Sequence, residues 1–133
     1  MLNRTDVVVL ALLDSENRIL ISKRLIDKPM GGMWEFPGGK IEADESPESA
    51  LIREIKEELS ISISKSCLAP LTFSTVTYGT RNFLILMYVC RVWEGKVNAS
   101  VSAEIKWVEK RDLGKYNMPS GNESLIGMVI DYL

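Results

Sequence analysis

Three glutamates, Glu54, Glu57 and Glu58, fall at i, i+3 and i+4 in the run REIKEEL. If that run is helical, the three carboxylates are neighbours on one side, where each like-charged pair costs roughly 0.2–0.5 kcal/mol. Helix formation gives no reason for such clustering, whereas a hard divalent cation does. Mg²⁺ takes oxygen ligands, usually one or two carboxylates completed by waters and substrate phosphates. Taken alone, three glutamates are more often a solvated helix face relieved by Arg53 and Lys56. The Gly38-Gly39 pair upstream shifts that balance, because glycine lets backbone approach a metal or phosphate closely, and Lys40 adds a cation beside it.

The spacing over the whole stretch is informative. Gly39 is followed after five residues by Glu45, then after seven by Arg53-Glu54-Ile55-Lys56-Glu57-Glu58-Leu59-Ser60-Ile61. This resembles the Nudix box, G-x5-E-x7-R-E-U-x-E-E-x-G-U with U a bulky aliphatic residue, and every fixed position matches except the second glycine, here Ser60. That glycine lies just past the helix end, where a left-handed cap is common. Serine there should cost on the order of 1 kcal/mol and leave the chemistry intact. The run WEFPGGKIE, Trp34 to Glu42, narrows the resemblance to the MutT group of nucleoside triphosphate pyrophosphohydrolases.

The resemblance implies a Nudix fold, an α+β sandwich with a mixed sheet between helices. It also implies a metal site of Glu54, Glu57, Glu58 and the Gly38 carbonyl, holding Mg²⁺ or Mn²⁺. Glu54 is then the candidate general base with Arg53 orienting it, and Glu45 and Glu104 are reserve carboxylates. Arg24, at the end of the run RILISKR with Lys23, and Lys40 become candidate phosphate contacts; without the box, such a cationic pair is a solubilising strand end. Arg81 and Asn122 match positions that contact an oxidised guanine in MutT-type proteins, and Phe36 is a candidate lining of the base pocket. Alone, Asn122 is a good helix cap and Arg81 a strand-end charge. The substrate so implied is 8-oxo-dGTP, with hydrolysis to the monophosphate and pyrophosphate as nucleotide-pool sanitation. Other triphosphates such as (d)CTP, or another nucleoside diphosphate linked to X, remain open, as does a non-catalytic nucleotide-binding module of the same fold. Such modules typically lose the box glutamates, and all three are present here.

Composition narrows the field independently. A chain of 133 residues suits a single domain, 1–133, and 46% hydrophobic with 26% charged residues suits a folded one. A formal charge of −2 argues against a general nucleic-acid-binding surface. The expected partner is a small nucleotide, with the chain a monomer or weak dimer. The absence of histidine removes Ser-His-Asp hydrolysis and His-ligated zinc. Cys67 and Cys90 lack metal-ligand or disulfide-framework spacing and read as small apolar residues. The apolar run Val7 to Leu13 is too short to span a membrane, which leaves a cytoplasmic location as the expectation.

These residues need a scaffold, and the pattern supplies one. Ser46 as N-cap and Pro47 at the first helical position predict a helix over 46–59 with Leu51, Ile52, Ile55 and Leu59 as its apolar stripe. Strands are predicted over 5–13 and 18–25, the latter with Ile19 and Ile21 on one face and Leu20 and Ser22 on the other. A loop at 26–33 carries Pro29, Gly31 and Gly32 and leads through 34–37 into the glycines. A hairpin is predicted over 67–78 and 81–93, its second strand apolar on both faces and therefore central in a sheet. Residues 97–102 read as loop, 104–108 as a strand, 111–115 as a short turn, and Leu125, Ile126, Val129 and Ile130 as a last helix beginning near Asn122.

Overall fold

The strand that organises the molecule is β1, Arg4–Leu12, in a computed structural model that describes residues 3–102 and 104–133. Its alternation sends Val8, Leu10 and Leu12 to one side and Ala11 with Leu13 just beyond it to the other, all fully buried. Both its edges are paired as well, because β1 lies inside a four-stranded sheet of order β4-β1-β6-β5, with β4 Gly38–Lys40, β5 Ala69–Tyr78 and β6 Arg81–Cys90. β1 and β6 run parallel from Arg4 opposite Asn82 to Leu12 opposite Cys90, while β4 and β5 flank them antiparallel. The expected hairpin is thus β5–β6, turning at Gly79 with φ 62°, and β6 is central as its apolar run implied.

Helix α1, Pro47–Leu59, covers one face of this sheet. Ser46 is extended and its hydroxyl accepts the Ser49 amide at 3.1 Å, so the first turn is capped as expected. The buried stripe is Ala50, Leu51, Ile55 and Leu59; Ile52, expected in it, is only partly buried, and Ala50 takes its place. The helix packs on Val8, Leu10, Leu12, Tyr88 and Cys90, with half-buried Cys67 at the margin, so both cysteines do behave as small apolar residues. Helix α2, Glu123–Tyr132, covers the other face through Leu125 and Val129 against Ala11, Met87 and Phe36. Ile130, expected on the packed face, is 43% exposed.

The mixed sheet between helices does not take in every strand. β2 (Ile19–Lys23), β3 (Trp34–Glu35) and β7 (Glu104–Val108) form a separate antiparallel sheet of order β3-β2-β7. β2 stops at Lys23, so Arg24 and Leu25 belong to the following loop, where the Arg24 amide donates to Met33 O at 2.9 Å. Ile19, Leu20, Ile21 and Ser22 are all buried, on both faces. The short strands β3 and β4 lie where no strand was expected. A 3-10 turn at Lys65–Cys67 shortens the expected strand to start at Ala69, another occupies Lys110–Lys115, and β6 ends at Cys90 rather than Trp93.

Candidate active site

β4 is pressed between β1 and α1, and this sets the site. Val8 and Val9 pair with Gly39 and Gly38, the Leu10 amide donates to Pro37 O at 2.8 Å, and the Ile41 amide donates to Asp6 O at 2.9 Å. A Cβ on Gly38 would collide with Val8 O, and one on Gly39 would lie 2.6 Å from each carboxylate oxygen of Glu54. Glycine is required at 38, where the clash is with backbone, and at 39 it leaves room for the Glu54 carboxylate that comes down from α1. The Gly38 amide in turn donates to Glu58 Oε2 at 2.9 Å. Two box glutamates are therefore clamped onto the glycine strand by local geometry.

Charge is arranged around them unevenly. Arg53 donates to both oxygens of Glu45, each at 2.8 Å, and through Nη1 to Glu54 Oε1 at 2.9 Å; its Nη2 also reaches Lys40 O at 3.2 Å. The paired bond from Arg53 draws the Glu45 carboxyl down to about 2. Glu45 is consequently the anchor that aims Arg53 and a poor proton acceptor. Burial raises Glu54 above the ordinary carboxylate value, against the opposing pull of Arg53. Burial pushes Glu58 furthest, to about 8, the neighbouring charges of Glu35 and Glu54 adding to it while the Gly38 amide works the other way. Glu57 stays more than half exposed, 3.7 Å from Arg53 Nη1.

Two cavities meet at one ion pair. Arg24 Nη1 lies 3.2 Å from Glu35 Oε1, and Arg24 Nε donates to Pro29 O at 2.8 Å, so a single side chain ties the 26–33 loop to β3. On one side is a cavity of about 420 Å³ lined by Val9, Phe36, Phe83, Arg81, Asn122 and Lys40, together with Tyr78. On the other is a cleft of about 280 Å³ lined by Lys28, Glu58, Ser22 and Ser102; Arg24 and Glu35 border both. The expected base-reading residues Phe36, Arg81 and Asn122 are thus brought together, and both expected phosphate contacts, Arg24 and Lys40, border the same space. Lys23 instead lies 5.8 Å over the Trp34 ring and borders neither cavity. Glu104 opens β7 opposite Lys23 and also borders neither.

Asn122 stands at the N-cap position of α2 but does not cap it: its backbone is already helical and its Nδ2 donates to Pro119 O at 2.9 Å. Three residues of the site were not singled out from sequence: Glu35, Lys28 and Tyr78. Glu35 sat within WEFPGGKIE, and its burial beside Glu58 is the signal that the motif reading lacked; Lys28 and Tyr78 carry no local signature.

The glutamates accept a hard cation by chemistry rather than by present arrangement. Among the described residues no three acidic, histidine or cysteine side chains converge to hold a metal, because Glu54 is drawn to Arg53 and Glu58 to the Gly38 amide. Yet the available donors are all oxygens, and a buried carboxyl raised to about 8 regains its charge when a cation is beside it. In the same cleft Ser102 Oγ is buried with no hydrogen-bond partner among the described residues. The donor set fits Mg²⁺ or a similar ion.

A family model of the NUDIX domain matches residues 8–128. The chain belongs to the NUDIX domain family. It is a MutT-like Nudix hydrolase. Over 94% of its length it is 29% identical to an 8-oxo-dGTP diphosphatase of Escherichia coli, of which the match covers 95%. Shorter matches reach 47% identity over 55 residues with an 8-oxo-dGTP diphosphatase of Proteus vulgaris and 46% over 54 residues with a CTP pyrophosphohydrolase of Escherichia coli, taking in 49% and 40% of those proteins. A solved MutT structure, from work on the Aliivibrio salmonicida and Vibrio cholerae proteins, superposes with a TM-score of 0.81 at 30% identity, covering 98% of this chain and all of that one.

Proposed function

We propose that this Nudix hydrolase cleaves 8-oxo-dGTP to 8-oxo-dGMP and pyrophosphate with Mg²⁺ or Mn²⁺, clearing an oxidised precursor from the cytoplasmic nucleotide pool. The observation that carries the reading is the pair of cavities joined at Arg24 and Glu35, one bearing Phe36, Arg81 and Asn122 and the other Glu58. In this reading the base takes the first, and the polyphosphate runs from beside Lys40 past Arg24 into the second. Asn122 can donate and accept at once, suiting a purine edge that presents both, and Arg81 can bond a carbonyl oxygen. The apolar walls Phe36 and Phe83 take the ring faces.

In this reading Glu54, Glu57, Glu58 and the Gly38 carbonyl hold the cation, which when bound neutralises charge on the polyphosphate. Glu54 accepts the proton of the water that attacks phosphorus. Arg53, fixed by Glu45, keeps Glu54 in one orientation. Arg24, Lys28 and Lys40 meet the phosphates, and Arg24 must leave Glu35 in part to do so. The enzyme works as one domain on a small nucleotide, as a monomer or weak dimer; no helix among the described residues is long and apolar enough to cross a membrane.

The match to a CTP pyrophosphohydrolase favours a second reading, a triphosphate pyrophosphohydrolase with another base preference. The test is kcat/KM for 8-oxo-dGTP, dGTP and dCTP, repeated with Asn122→Ala. A buried, hydrogen-bonding site rejects a mismatched edge by as much as 10⁴-fold. The reading requires 8-oxo-dGTP to be preferred and the substitution to erase that preference. Equal efficiency on all three nucleotides would leave only the broader activity, and unaltered protein that binds but does not turn over any of them would mark a binding module.

A further inference from the structure

Tyr78 joins the two residues assigned to base reading, although the proposed chemistry does not use it. It ends β5 with its ring packed edge-on against Phe83, centroids 5.7 Å apart, and Phe83 carries the Arg81 guanidinium 5.3 Å from its own centroid. From the same ring the Tyr78 hydroxyl donates to Ser120 O, in the turn that precedes Asn122. Besides the Gly121 amide's bond to Glu123 Oε2 at 2.8 Å, that turn is held from β5. Gly121, at φ 95°, lies so close to the strand that a Cβ there would fall 2.5 Å from Val76 Cγ2, and Ser74 Oγ reaches Gly121 O at 3.5 Å and receives a bond from Ser124 Oγ at 3.0 Å. Ser74, Val76 and Tyr78 alternate along one face of β5, so the strand meets the turn at three successive side chains.

We propose that Tyr78 is a positioning residue for substrate selection, its hydroxyl fixing the 119–122 turn so that Asn122 faces the base at a set distance from Arg81. This deepens the base-reading function above and rests on it. The Asn122 carboxamide spends one N–H on Pro119 O, so its Oδ1 and second N–H can meet a base edge only where the turn puts them. Ser74 and Val76 restrain the same turn, and Val76 stands opposite Phe83 in the β5–β6 pairing, but it is Tyr78 that stands opposite Arg81. Of these three, Tyr78 is the one that borders the cavity with Arg81 and Asn122, and a sub-ångström drift between two hydrogen-bonding groups is enough to lose a paired contact.

Tyr78→Phe keeps the ring and removes only the hydroxyl, and it is compared with Ser74→Ala, Asn122→Ala and the Tyr78→Phe/Asn122→Ala pair. The expected result is a roughly fivefold fall in the kcat/KM preference for 8-oxo-dGTP over dCTP in Tyr78→Phe, the size of one hydrogen bond. It should enter through KM with kcat and the thermal midpoint nearly unchanged, and it should vanish in the Asn122→Ala background because the two residues act through one contact. Amide exchange at Gly121 and Asn122 should quicken in Tyr78→Phe. Undiminished preference in Tyr78→Phe, while Asn122→Ala abolishes it, overturns the positioning role and leaves base reading intact. Unchanged exchange at Gly121 and Asn122 overturns it on mechanical grounds. A wild-type enzyme indifferent to the base is a different failure, that of the function itself, and takes this inference with it.

Discussion

Glu58 is held by two opposed demands, a buried position that disfavours its charge and a Gly38 amide that favours it, and burial wins. Its carboxyl titrates near 8 in the folded chain against the ordinary 4.5. Between those values the folded state holds a proton that the unfolded chain has released, so stability falls as pH rises through that window. Glu54 and Glu35, also raised by burial, act in the same sense, while the strongly acidic Glu45 loses its stabilising pair with Arg53 only below the ordinary carboxylate value. The metal-free protein should therefore melt higher at pH 5 than at pH 8.5, and Glu58→Gln should shrink that difference. Equal midpoints at the two values in the wild type would mean that the Glu58 pocket is wetter than its geometry indicates. The box motif identified Glu58 from type and spacing alone, but neither its burial nor its contact with Gly38 could be read there, because both depend on β4 docking under α1.

Helix α1 was legible almost to the residue, since its start and stop are written locally. Ser46 and Pro47 begin it, and Ser60 ends it in the left-handed region at φ 61°, its amide donating to Lys56 O at 3.2 Å. A serine bears the cost of that conformation, offset in part by an exposed bond between the Ser60 and Ser100 hydroxyls at 2.7 Å. Ser60→Gly should accordingly raise unfolding stability by up to about 1 kcal/mol in urea titration without altering activity. A loss of stability would show that the bond to Ser100 outweighs the strain. β3 and β4 were illegible for the opposite reason. Two- and three-residue strands built around Pro37, Gly38 and Gly39 carry no alternation, and pairing with β2 and β1 alone makes them strands. Ile52 and Ile130 misled in a third way: helical spacing names an apolar arc, but the partner surface decides how much of it is covered.

At the scale of the whole molecule, the sheet carries a separate apolar cluster on each face, and the two cavities open where the 26–33 loop, β3 and the start of α2 meet its edge. The proposed catalytic half of the site was legible because one contiguous stretch, Gly38 to Ile61, carries its candidate residues. The proposed selecting half would draw on Phe36, Tyr78, Arg81 and Asn122, which are neighbours only after β5–β6 and α2 have packed, so a resemblance could suggest three of them and Tyr78 emerged only from the fold. Lys28 and Glu35 belong to the same class of tertiary meeting. We propose that this assembly works as a metal-dependent pyrophosphohydrolase with Glu54 as its base. It is tested most directly by following product formation from 8-oxo-dGTP with and without Mg²⁺, in the wild type and in Glu54→Gln. Mg²⁺-dependent release of pyrophosphate and monophosphate in equal amounts is expected, with kcat at least about 10²-fold lower in a folded Glu54→Gln. Release of orthophosphate in place of pyrophosphate, hydrolysis indifferent to the cation, or a Glu54→Gln enzyme as fast as the wild type would contradict it.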